Sequence, residues 1–232
     1  MGKTKDFITN SELDGKGLCA FRFKDDACGE NGTFDPGANQ IGLKIDGMGR
    51  ASLLLSQHFF PILEQGGIPT HFRGADVANG TMTCCCLNML PVEFIWRDKA
   101  WGSFCKIYGV EQGYVLGGLV EATLKSDPLG DPRINKEACV LLGKLSDDQY
   151  HRCDTYIRKI GEIFKRELGK YGYTLIDFKV EFGVNNEGNV LLADEISGGI
   201  WRLLDSQGKP ADPIECAKKI CGEFYAVNGS KW

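Results

Sequence analysis

Two acids and a base lie on alternate residues of one segment, a pattern that could serve chemistry on charged groups. Between Ile176 and Gly183, apolar residues alternate with Asp177, Lys179 and Glu181. Period-two alternation predicts a strand with one buried face, and the other face here carries two acids and a base. A charged outer face is also common on an ordinary strand, with the lysine neutralising its neighbours. The segment alone leaves both interpretations open.

A second strand is predicted at 190–195, directly after the first, and it carries another carboxylate. If Glu187 and Gly188 form the turn of a hairpin, the register places Glu181 opposite Asp194. Their Cβ atoms would then lie about 5 Å apart, and carboxylates so close repel unless a positive charge separates them. A hard divalent cation is the natural candidate. Mg²⁺ bound by one or two carboxylates usually also holds substrate phosphates.

The composition fits a soluble globular enzyme and argues against two other classes of protein. The chain has 232 residues and a net charge of -4, from 27 basic and 31 acidic residues. This balance gives no electrostatic basis for broad nucleic-acid binding. No apolar run approaches the length of a transmembrane helix, and the N-terminus lacks the apolar stretch of a signal peptide. We therefore expect no membrane partner and a cytoplasmic location.

Ten cysteines are present, three of them consecutive at Cys84, Cys85 and Cys86, beside only three histidines. Consecutive residues on a strand point to opposite faces, which suits neither a tetrahedral metal site nor a disulfide framework. No Cys-x-x-Cys pair occurs. We interpret the cysteines as small apolar residues in a reducing compartment.

The first ninety residues predict strands and loops with one helix. A strand is expected at Leu18–Phe23, and an amphipathic helix at 51–65 that ends at two glycines. A buried strand is expected at 81–90. We place a boundary between two lobes near Pro91, which gives an N-terminal lobe of residues 1–90 and a C-terminal lobe of residues 91–232.

The C-terminal lobe is predicted to mix helices and strands. A strand is expected at 91–97. Ser146 begins a helix, and Gln149 completes its capping box. The hairpin follows that helix, and a last helix is expected at about 213–225. The predicted fold class is therefore α+β.

Several segments, taken in order, resemble the SAICAR synthetase family (phosphoribosylaminoimidazole-succinocarboxamide synthase). The most specific are the Asp-Phe-Lys-x-Glu-Phe-Gly and Asp-Glu-x-Ser motifs, and the resemblance covers nearly the whole chain. The matching segments are Gly2-Lys3-Thr4-Lys5, Gly67-Ile68-Pro69-Thr70-His71, Pro91-Val92-Glu93-Phe94-Ile95-Trp96-Arg97, Ala100-Trp101-Gly102-Ser103-Phe104, Asp131-Pro132-Arg133-Ile134-Asn135, Asp177-Phe178-Lys179-Val180-Glu181-Phe182-Gly183 and Asp194-Glu195-Ile196-Ser197.

The resemblance implies a two-lobed α+β fold whose N-terminal lobe is similar to that of protein kinases, with ATP between the lobes. It implies an ATP-dependent ligase that joins the carboxylate of an aminoimidazole ribotide (CAIR) to the amine of L-aspartate. The products are SAICAR, ADP and phosphate, and the intermediate is an acyl phosphate. Because a carboxylate is a poor electrophile, a phosphate leaving group makes the amide bond accessible.

The resemblance also implies roles for individual residues. Glu181 and Asp194 would hold Mg²⁺, in agreement with the hairpin register, and Lys179 would stabilise the transferring phosphoryl group. The positions implied for ATP are Lys3 and Lys5 at the phosphates and Met89 and Leu90 at the adenine. The positions implied for the substrates are Asn31, Arg97, Ser103, Ser197 and Arg202.

The acceptor side departs from the family more than the ATP side. The loop Ser197–Arg202 lacks the family's Pro-Asp and contains Ile200 and Trp201 instead. Two interpretations follow: a divergent SAICAR synthetase, or a paralogue that joins a different acid and amine in a more apolar pocket shaped also by Trp101. A non-catalytic nucleotide-binding module is a third, although it predicts loss of metal acids or phosphate lysines that are all present. A homo-oligomer is left open.

Overall fold

A computed structural model describes residues 3–30, 32–38 and 40–222. Its helices are α1 (Ser11–Asp14), α2 (Met48–Gln65), α3 (Ser103–Tyr108), α4 (Lys136–Leu141), α5 (Asp147–Gly169) and α6 (Pro213–Cys221). Its strands are β1 (Lys5–Ile8), β2 (Leu18–Phe23), β3 (Asp26–Glu30), β4 (Thr33–Phe34), β5 (Ile41–Lys44), β6 (Phe72–Asp76), β7 (Thr81–Cys85), β8 (Asn88–Lys99), β9 (Val115–Leu124), β10 (Thr174–Val184), β11 (Val190–Ala193) and β12 (Trp201–Leu204). The predicted α+β class is confirmed.

The largest sheet is antiparallel and is built around β8 and β10, which pair along most of their length. β9 pairs with the free edge of β8. The other edge of β10 is shared, because β11 pairs with its last four residues and β12 with its first half. Five strands thus bring distant parts of the chain onto one surface, and that surface carries the site described below.

Helix α5 covers the opposite face of this sheet. The predicted capping box is confirmed: Ser146 Oγ accepts from the Gln149 backbone N–H, and the Gln149 side chain accepts from the Ser146 N–H. Trp96 stacks on Phe178 with ring centroids 5.6 Å apart. Gly161 lets the helix approach, since a Cβ atom there would lie 2.5 Å from the Trp96 ring. Burial of these large apolar faces is the main favourable term that holds the helix to the sheet.

Two smaller sheets and α2 complete the N-terminal part. One sheet has the strand order β1-β2-β7-β6, and the other has the order β4-β3-β5. Helix α2 begins at Met48, three residues before the predicted start, and ends at the predicted glycines. A four-residue helix, α1, was not predicted. Among the described residues, no helix combines the length and apolar character needed to cross a bilayer.

The predicted hairpin forms, but its predicted register is wrong by one residue. Glu181 lies opposite Ala193, and not opposite Asp194. The connection spans Asn185–Asn189 and is longer than the two-residue turn expected, because the Asn185 side chain accepts hydrogen bonds from the N–H groups of Glu187 and Asn189. Asp194 therefore comes after the end of β11, with a φ of 64°.

The predicted strand 81–90 is also wrong, since it is two strands. β7 ends at Cys85, and β8 begins at Asn88 and continues through Pro91 to Lys99. The predicted lobe boundary thus falls inside a continuous strand, and the division into two lobes stays a prediction. The last predicted helix forms from Pro213 to Cys221 and ends at Gly222, short of the predicted end; the predicted residues 223–225 lie outside the described part of the chain.

The cysteines do not group into a metal site among the described residues. Cys84 is buried, Cys85 is half-buried and Cys86 is exposed, so the three point into different surroundings. No set of three or more His, Cys, Asp or Glu side chains in the described ranges is arranged to hold a metal ion. All ten thiols are free.

Candidate active site

Alternation on β8, β9 and β10 builds one polar surface from three neighbouring strands. On β10 the apolar set Phe178, Val180 and Phe182 is buried on the α5 side, which turns the intervening polar residues the other way. In the pairing of β10 with β8, Asp177 lies opposite Arg97 and Glu181 lies opposite Glu93. β9 adds two further polar positions to this surface. The residues that the three strands contribute are Asp177, Lys179, Glu181, Glu93, Arg97, Glu121 and Thr123.

A cleft of about 580 Å³ opens over one end of this surface and collects lysines and acids. Lys5 enters it from β1 and is buried, with its Nζ 2.9 Å from Asp194 Oδ1 and 2.5 Å from Glu195 Oε1. Although burial acts to lower the pKa of Lys5, Asp194 and Glu195 outweigh that effect and raise this pKa above its usual value. Lys3 also lines the cleft and is partly exposed, 3.2 Å from Asp127. The cleft thus presents cationic groups where a polyanion could bind.

Glu181 and Asp194 face this cleft and still influence each other despite the shifted register. Burial, reinforced by the charge of Asp194, raises the pKa of Glu181 to about 7, against the opposing effect of Lys125 at 2.5 Å. Burial would also raise the pKa of Asp194, but the adjacent Lys5 ammonium outweighs it and holds that pKa below its usual range. Two carboxylates that repel each other in this way are suited to share a cation.

His71 fixes the backbone of Asp194. The segment before β6 runs beside β11, where the His71 N–H donates to the Leu192 carbonyl at 3.0 Å. His71 Nε2 lies 2.9 Å from the Asp194 carbonyl oxygen, so the ring is the donor and carries its proton on Nε2. A left-handed φ is uncommon for a residue with a Cβ, and such residues persist only where their surroundings enforce them. His71 is one of the groups that enforce it here.

Acid should destabilise the fold through His71. Burial lowers its pKa to about 4, from 6.5 in the unfolded chain. As the pH falls, the unfolded state therefore binds the extra proton before the folded state does. The stabilisation of the fold by neutral His71 is complete above pH 6.5 and is lost as the pH falls toward 4. Between pH 7 and pH 4.5, the free energy of unfolding in urea should therefore fall by about 2–3 kcal/mol less in His71→Gln than in the wild type.

The control for this pH prediction is His151→Gln, because His151 is exposed on α5. This variant should follow the wild-type pH dependence. If His71→Gln and the wild type lost the same unfolding free energy on acidification, the buried neutral state of His71 would be contradicted.

A second pocket of about 310 Å³ adjoins the cleft and is lined by arginines. Asp177 accepts from Arg97 Nη1 at 2.6 Å and from Arg202 Nη1 at 2.9 Å, which places the two guanidinium groups on either side of one buried carboxylate. Arg202 lies there because β12 pairs it directly with Asp177. Ser103, the first residue of α3, also lines the pocket. The set of donors suits a phosphate or carboxylate.

Removing one of these buried arginines should be costly for stability. Arg97 is only 3% exposed and pairs with both Asp177 and Glu121. Arg97→Met leaves each buried carboxylate short of a partner, so we expect the free energy of unfolding to fall by about 3 kcal/mol. Denaturant unfolding measures this. Arg158→Met, which breaks an exposed pair on α5, should cost no more than about 0.5 kcal/mol; equal losses in the two variants would contradict the argument.

Lys179 stands where the cleft and the arginine pocket meet. It lines both cavities, together with Glu93, Asp131 and Ile200. Its Nζ lies 3.0 Å from Glu93 Oε2, and about a third of its side chain is exposed. A group held by the lysines and a group held by the arginines would therefore approach each other beside this ammonium.

The structure brings most of the predicted site residues together. Lys3, Lys5, Glu181, Asp194 and Ser197 line the cleft, and the buried Ser197 hydroxyl accepts from the Gly199 N–H. The predicted residues lining the second pocket are Arg97, Ser103 and Arg202, and Lys179 belongs to both.

Two predicted site residues are placed differently. Met89 and Leu90 follow Asn88 near the start of β8 and lie outside the lining of these two cavities. Met89 lies opposite Gly183 and is half-exposed, and Leu90 is buried. Their predicted contact with adenine stays a prediction. Asn31 lies outside the described residues.

Sequence reasoning missed the partners that set the electrostatics of the site. Glu93 falls in the strand expected at 91–97, and Lys125 begins the segment Lys125-Ser126-Asp127, which also resembles the family; neither residue was assigned a role. Neither of the two acids that form ion pairs with the arginines, Asp177 and Glu121, was predicted as a binding residue. The signal available for Asp177 was its place in the same alternating run as Lys179 and Glu181.

Comparison with known proteins agrees with this geometry. The family model described as SAICAR synthetase matches residues 1–220. Phosphoribosylaminoimidazole-succinocarboxamide synthase of Clostridium tetani is 42% identical over 94% of this chain and 96% of its own length. The enzyme of the same name from Finegoldia magna is 35% identical over 88% of this chain and 84% of its own length.

A solved structure, described as SAICAR synthetase (Type-2) in complex with ADP, is similar throughout. It superposes with a TM-score of 0.83 at 32% identity and covers 100% of this chain and 98% of that one. Sequence, family model and three-dimensional structure agree over nearly the full length. The chain therefore belongs to the SAICAR synthetase family, ATP-dependent ligases that form a carbon–nitrogen bond.

Proposed function

We propose that this protein joins the carboxylate of CAIR to the amine of L-aspartate at the junction marked by Lys179, at the expense of ATP. The observation that supports this proposal is that two cavities meet at one residue. The cleft lined by lysines and carboxylates adjoins the arginine pocket, and the Lys179 ammonium lines both. Such an arrangement can bind a polyphosphate and an anionic acceptor side by side. Holding two reactants in contact removes much of the entropic cost of their reaction.

The phosphates of ATP would occupy the cleft at Lys3 and Lys5, and its adenine would extend beyond the cleft to Met89 and Leu90. Support comes from the position of the two lysines in the cleft and from the similar solved structure, which is a complex with ADP. The cleft volume of about 580 Å³ lies within the usual range of small-molecule sites.

Glu181 and Asp194 fit a magnesium ion, and we propose that they hold it. The donor set consists of two carboxylates and no third acid, histidine or cysteine grouped with them among the described residues. That number is suitable for Mg²⁺, which usually takes one or two protein carboxylates and completes its shell with water and substrate phosphates. When bound, the ion neutralises charge on the phosphates during phosphoryl transfer.

The arginine pocket would take the acceptor. Arg97, Ser103 and Arg202 are proposed to hold the phosphate of the ribotide, and Ser197 to contribute at the side of the cleft. Asn31 is retained as a proposed substrate contact from the family resemblance. With the phosphate held in this pocket, the carboxylate of the acceptor would lie toward Lys179, which lines both cavities.

The reaction then proceeds in two balanced steps. A carboxylate oxygen of the acceptor attacks the γ-phosphorus of ATP, the bond to the bridging oxygen breaks, and ADP leaves with the bonding electrons. The amine of aspartate next attacks the acyl carbon, phosphate leaves with the carboxylate oxygen, and the amine gives up a proton. Lys179 would stabilise the negative charge that passes from ATP to the acceptor in the first step.

The position of the altered loop favours this function over a paralogue with an apolar acceptor pocket. Trp201 is 4% exposed and packs edge-on against Phe59 and Phe164, so its role is in the core. Trp101 lies with it along a separate cavity on the far side of Arg202. Of the three bulky residues, Ile200 is the one that lines the cleft and the arginine pocket.

The free thiols support a cytoplasmic location, where cysteines remain reduced. All substrates of the proposed reaction are small molecules.

The proposed function is tested by ADP release from the purified protein with ATP, Mg²⁺ and L-aspartate, with and without CAIR. We expect ADP release that depends on CAIR and is matched mole for mole by SAICAR. Omission of aspartate should abolish SAICAR. Binding of MgATP with no effect of CAIR on ADP release would overturn the proposed acceptor and direct the search to other carboxylates.

A further inference from the structure

Arg133 carries a hydrogen-bond donor that the protein leaves without a partner. Its Nη1 atom is buried and has no hydrogen-bond partner, and no other buried side-chain nitrogen or oxygen of the described residues lacks one. Buried donors are almost always paired, and an exception calls for an explanation. Arg133 lines the arginine pocket, and about a quarter of its side chain is exposed. The residue that carries the unpaired atom therefore borders a cavity already suited to anions.

The rest of the guanidinium is held firmly. Glu121 accepts from Arg133 Nε at 3.0 Å and from Arg97 Nε at 2.7 Å, so a single carboxylate orients both arginines. The Arg133 Cζ atom also lies 4.6 Å from the centroid of the Tyr108 ring and 5.7 Å from that of Phe104. The side of the guanidinium that faces Glu121 is therefore hydrogen-bonded, whereas Nη1 makes no hydrogen bond.

The arginines of the pocket outnumber the buried carboxylates that pair with them; of the other acids that line it, Glu93 pairs with Lys179 and Asp131 accepts from the Ser126 N–H. Two buried carboxylates, Asp177 and Glu121, are shared among three arginines, Arg97, Arg133 and Arg202. Asp35 pairs with the outer side of Arg202 and is half-exposed, so water screens it. A phosphate monoester has about two negative charges and three acceptor oxygens near neutral pH. It can accept from more than one guanidinium at once.

We propose that Arg133 is a further binding residue for the phosphate of the acceptor, with its Nη1 donating to a phosphate oxygen beside Arg97. The inference rests on the proposed function, since it requires a phosphorylated acceptor in this pocket. Nη1 is buried, so a phosphate can reach it only if a neighbouring side chain shifts. Tyr108 is such a neighbour: its ring lies over the guanidinium, it is 53% exposed at the end of α3, and its hydroxyl donates to Glu121 at 3.3 Å. Arg133 then selects phosphorylated over unphosphorylated acceptors.

The test compares two acceptors, CAIR and its dephosphorylated nucleoside, in the wild type and in Arg133→Met. Loss of one charge-assisted hydrogen bond should lower kcat/KM for CAIR by about 10- to 100-fold. The KM for ATP should change less than about 2-fold, and kcat/KM for the nucleoside should stay near the wild-type value. The preference for the phosphorylated acceptor then falls by the same 10- to 100-fold.

Controls separate binding from a structural role. Arg158→Met removes the same charge from the exposed face of α5 and should leave the preference unchanged. Arg133→Lys retains the charge and should recover part of the preference. An equal loss with both acceptors in Arg133→Met would show that the residue only supports the fold and would overturn the proposal.

Calorimetric titration with ribose 5-phosphate gives a readout that does not depend on turnover. The wild type should bind this probe about 10-fold or more tightly than Arg133→Met. If the wild type fails to use CAIR but still shows this difference, the proposed function fails and the phosphate site stands. If wild type and variant bind the probe equally, the role of Arg133 is overturned whatever the substrate is.

Discussion

Asp194→Asn should lower kcat by about a thousandfold or more and leave the chain folded. Asp194 is one of the two carboxylates proposed to hold Mg²⁺, and its amide analogue is a far weaker ligand for a hard cation. With that ligand impaired, charge on the transferring phosphoryl group is no longer neutralised. The effect should fall on the chemical step, with a smaller effect on the binding of ATP.

Asparagine is the appropriate replacement at this position. Asp194 has a left-handed φ of 64°, and asparagine is one of the few residues that tolerates this region. The buried Lys5 ammonium keeps its contact with Glu195 at 2.5 Å, so the substitution does not leave it unpaired. We therefore expect the change in unfolding free energy to stay within about 1 kcal/mol.

Two measurements check this result. The first is kcat at saturating substrates, and the second is the Mg²⁺ concentration needed for half-maximal ATP binding, which should rise. Glu187→Gln is the matched control, because Glu187 is an exposed acid in the connection of the same hairpin. Turnover in Asp194→Asn comparable with that of this control would rule out a metal role for the carboxylate.

Lys179→Met should lower kcat by about 100- to 1000-fold. Lys179 lies between the two cavities, and no second ammonium lines both of them among the described residues. Its charge is needed most when the phosphoryl group passes between ATP and the acceptor, so the KM values for ATP and CAIR should change only a few-fold. Steady-state kinetics with each substrate varied in turn measures this division.

A structural effect of the same substitution has to be separated from the chemical one. Lys179 pairs with the buried Glu93 at 3.0 Å, and its loss leaves that carboxylate without its partner, at a cost of about 3 kcal/mol. The double variant Glu93→Gln with Lys179→Met removes the unpaired charge, so it should regain most of the stability. Its turnover should remain as low as that of the single variant. Recovery of turnover along with stability would contradict a catalytic role for Lys179.

The local elements of the site were predictable from sequence because their signals are local. The alternation from Ile176 to Phe182 reflects a strand that is buried on one side, and burial of that face is what the structure shows. The helix start at Ser146 was equally predictable, since a capping box needs only residues three apart. Both patterns depend on short-range geometry that the sequence itself displays.

The hairpin register was not predictable from the same kind of signal. Glu187-Gly188 satisfies the composition of a two-residue turn, but the side chain of Asn185 accepts two backbone hydrogen bonds and stabilises a longer connection. A shift of one residue moves Asp194 off the strand. Asp194 nevertheless lines the same cleft as Glu181, and His71, from a distant segment, contacts its carbonyl oxygen.

The charge partners of the site could not be predicted at all without the sheet order. Lys125 and Glu181 are separated by 56 positions, and Glu93 and Lys179 by 86. They meet because β9, β8 and β10 are neighbours, which is a property of the whole sheet. The unpaired atom of Arg133 depends in the same way on α3, β8 and β9 together.

The measurement that tests the central claim most directly follows oxygen from the acceptor carboxylate. CAIR labelled with oxygen-18 in its carboxylate is incubated with the protein, ATP, Mg²⁺ and L-aspartate, and the released phosphate is analysed by mass spectrometry. If the carboxylate is activated by phosphorylation in this cleft, each phosphate carries one labelled oxygen and appears in equal amount with SAICAR. Unlabelled phosphate, or ADP release that does not depend on CAIR, would contradict the account.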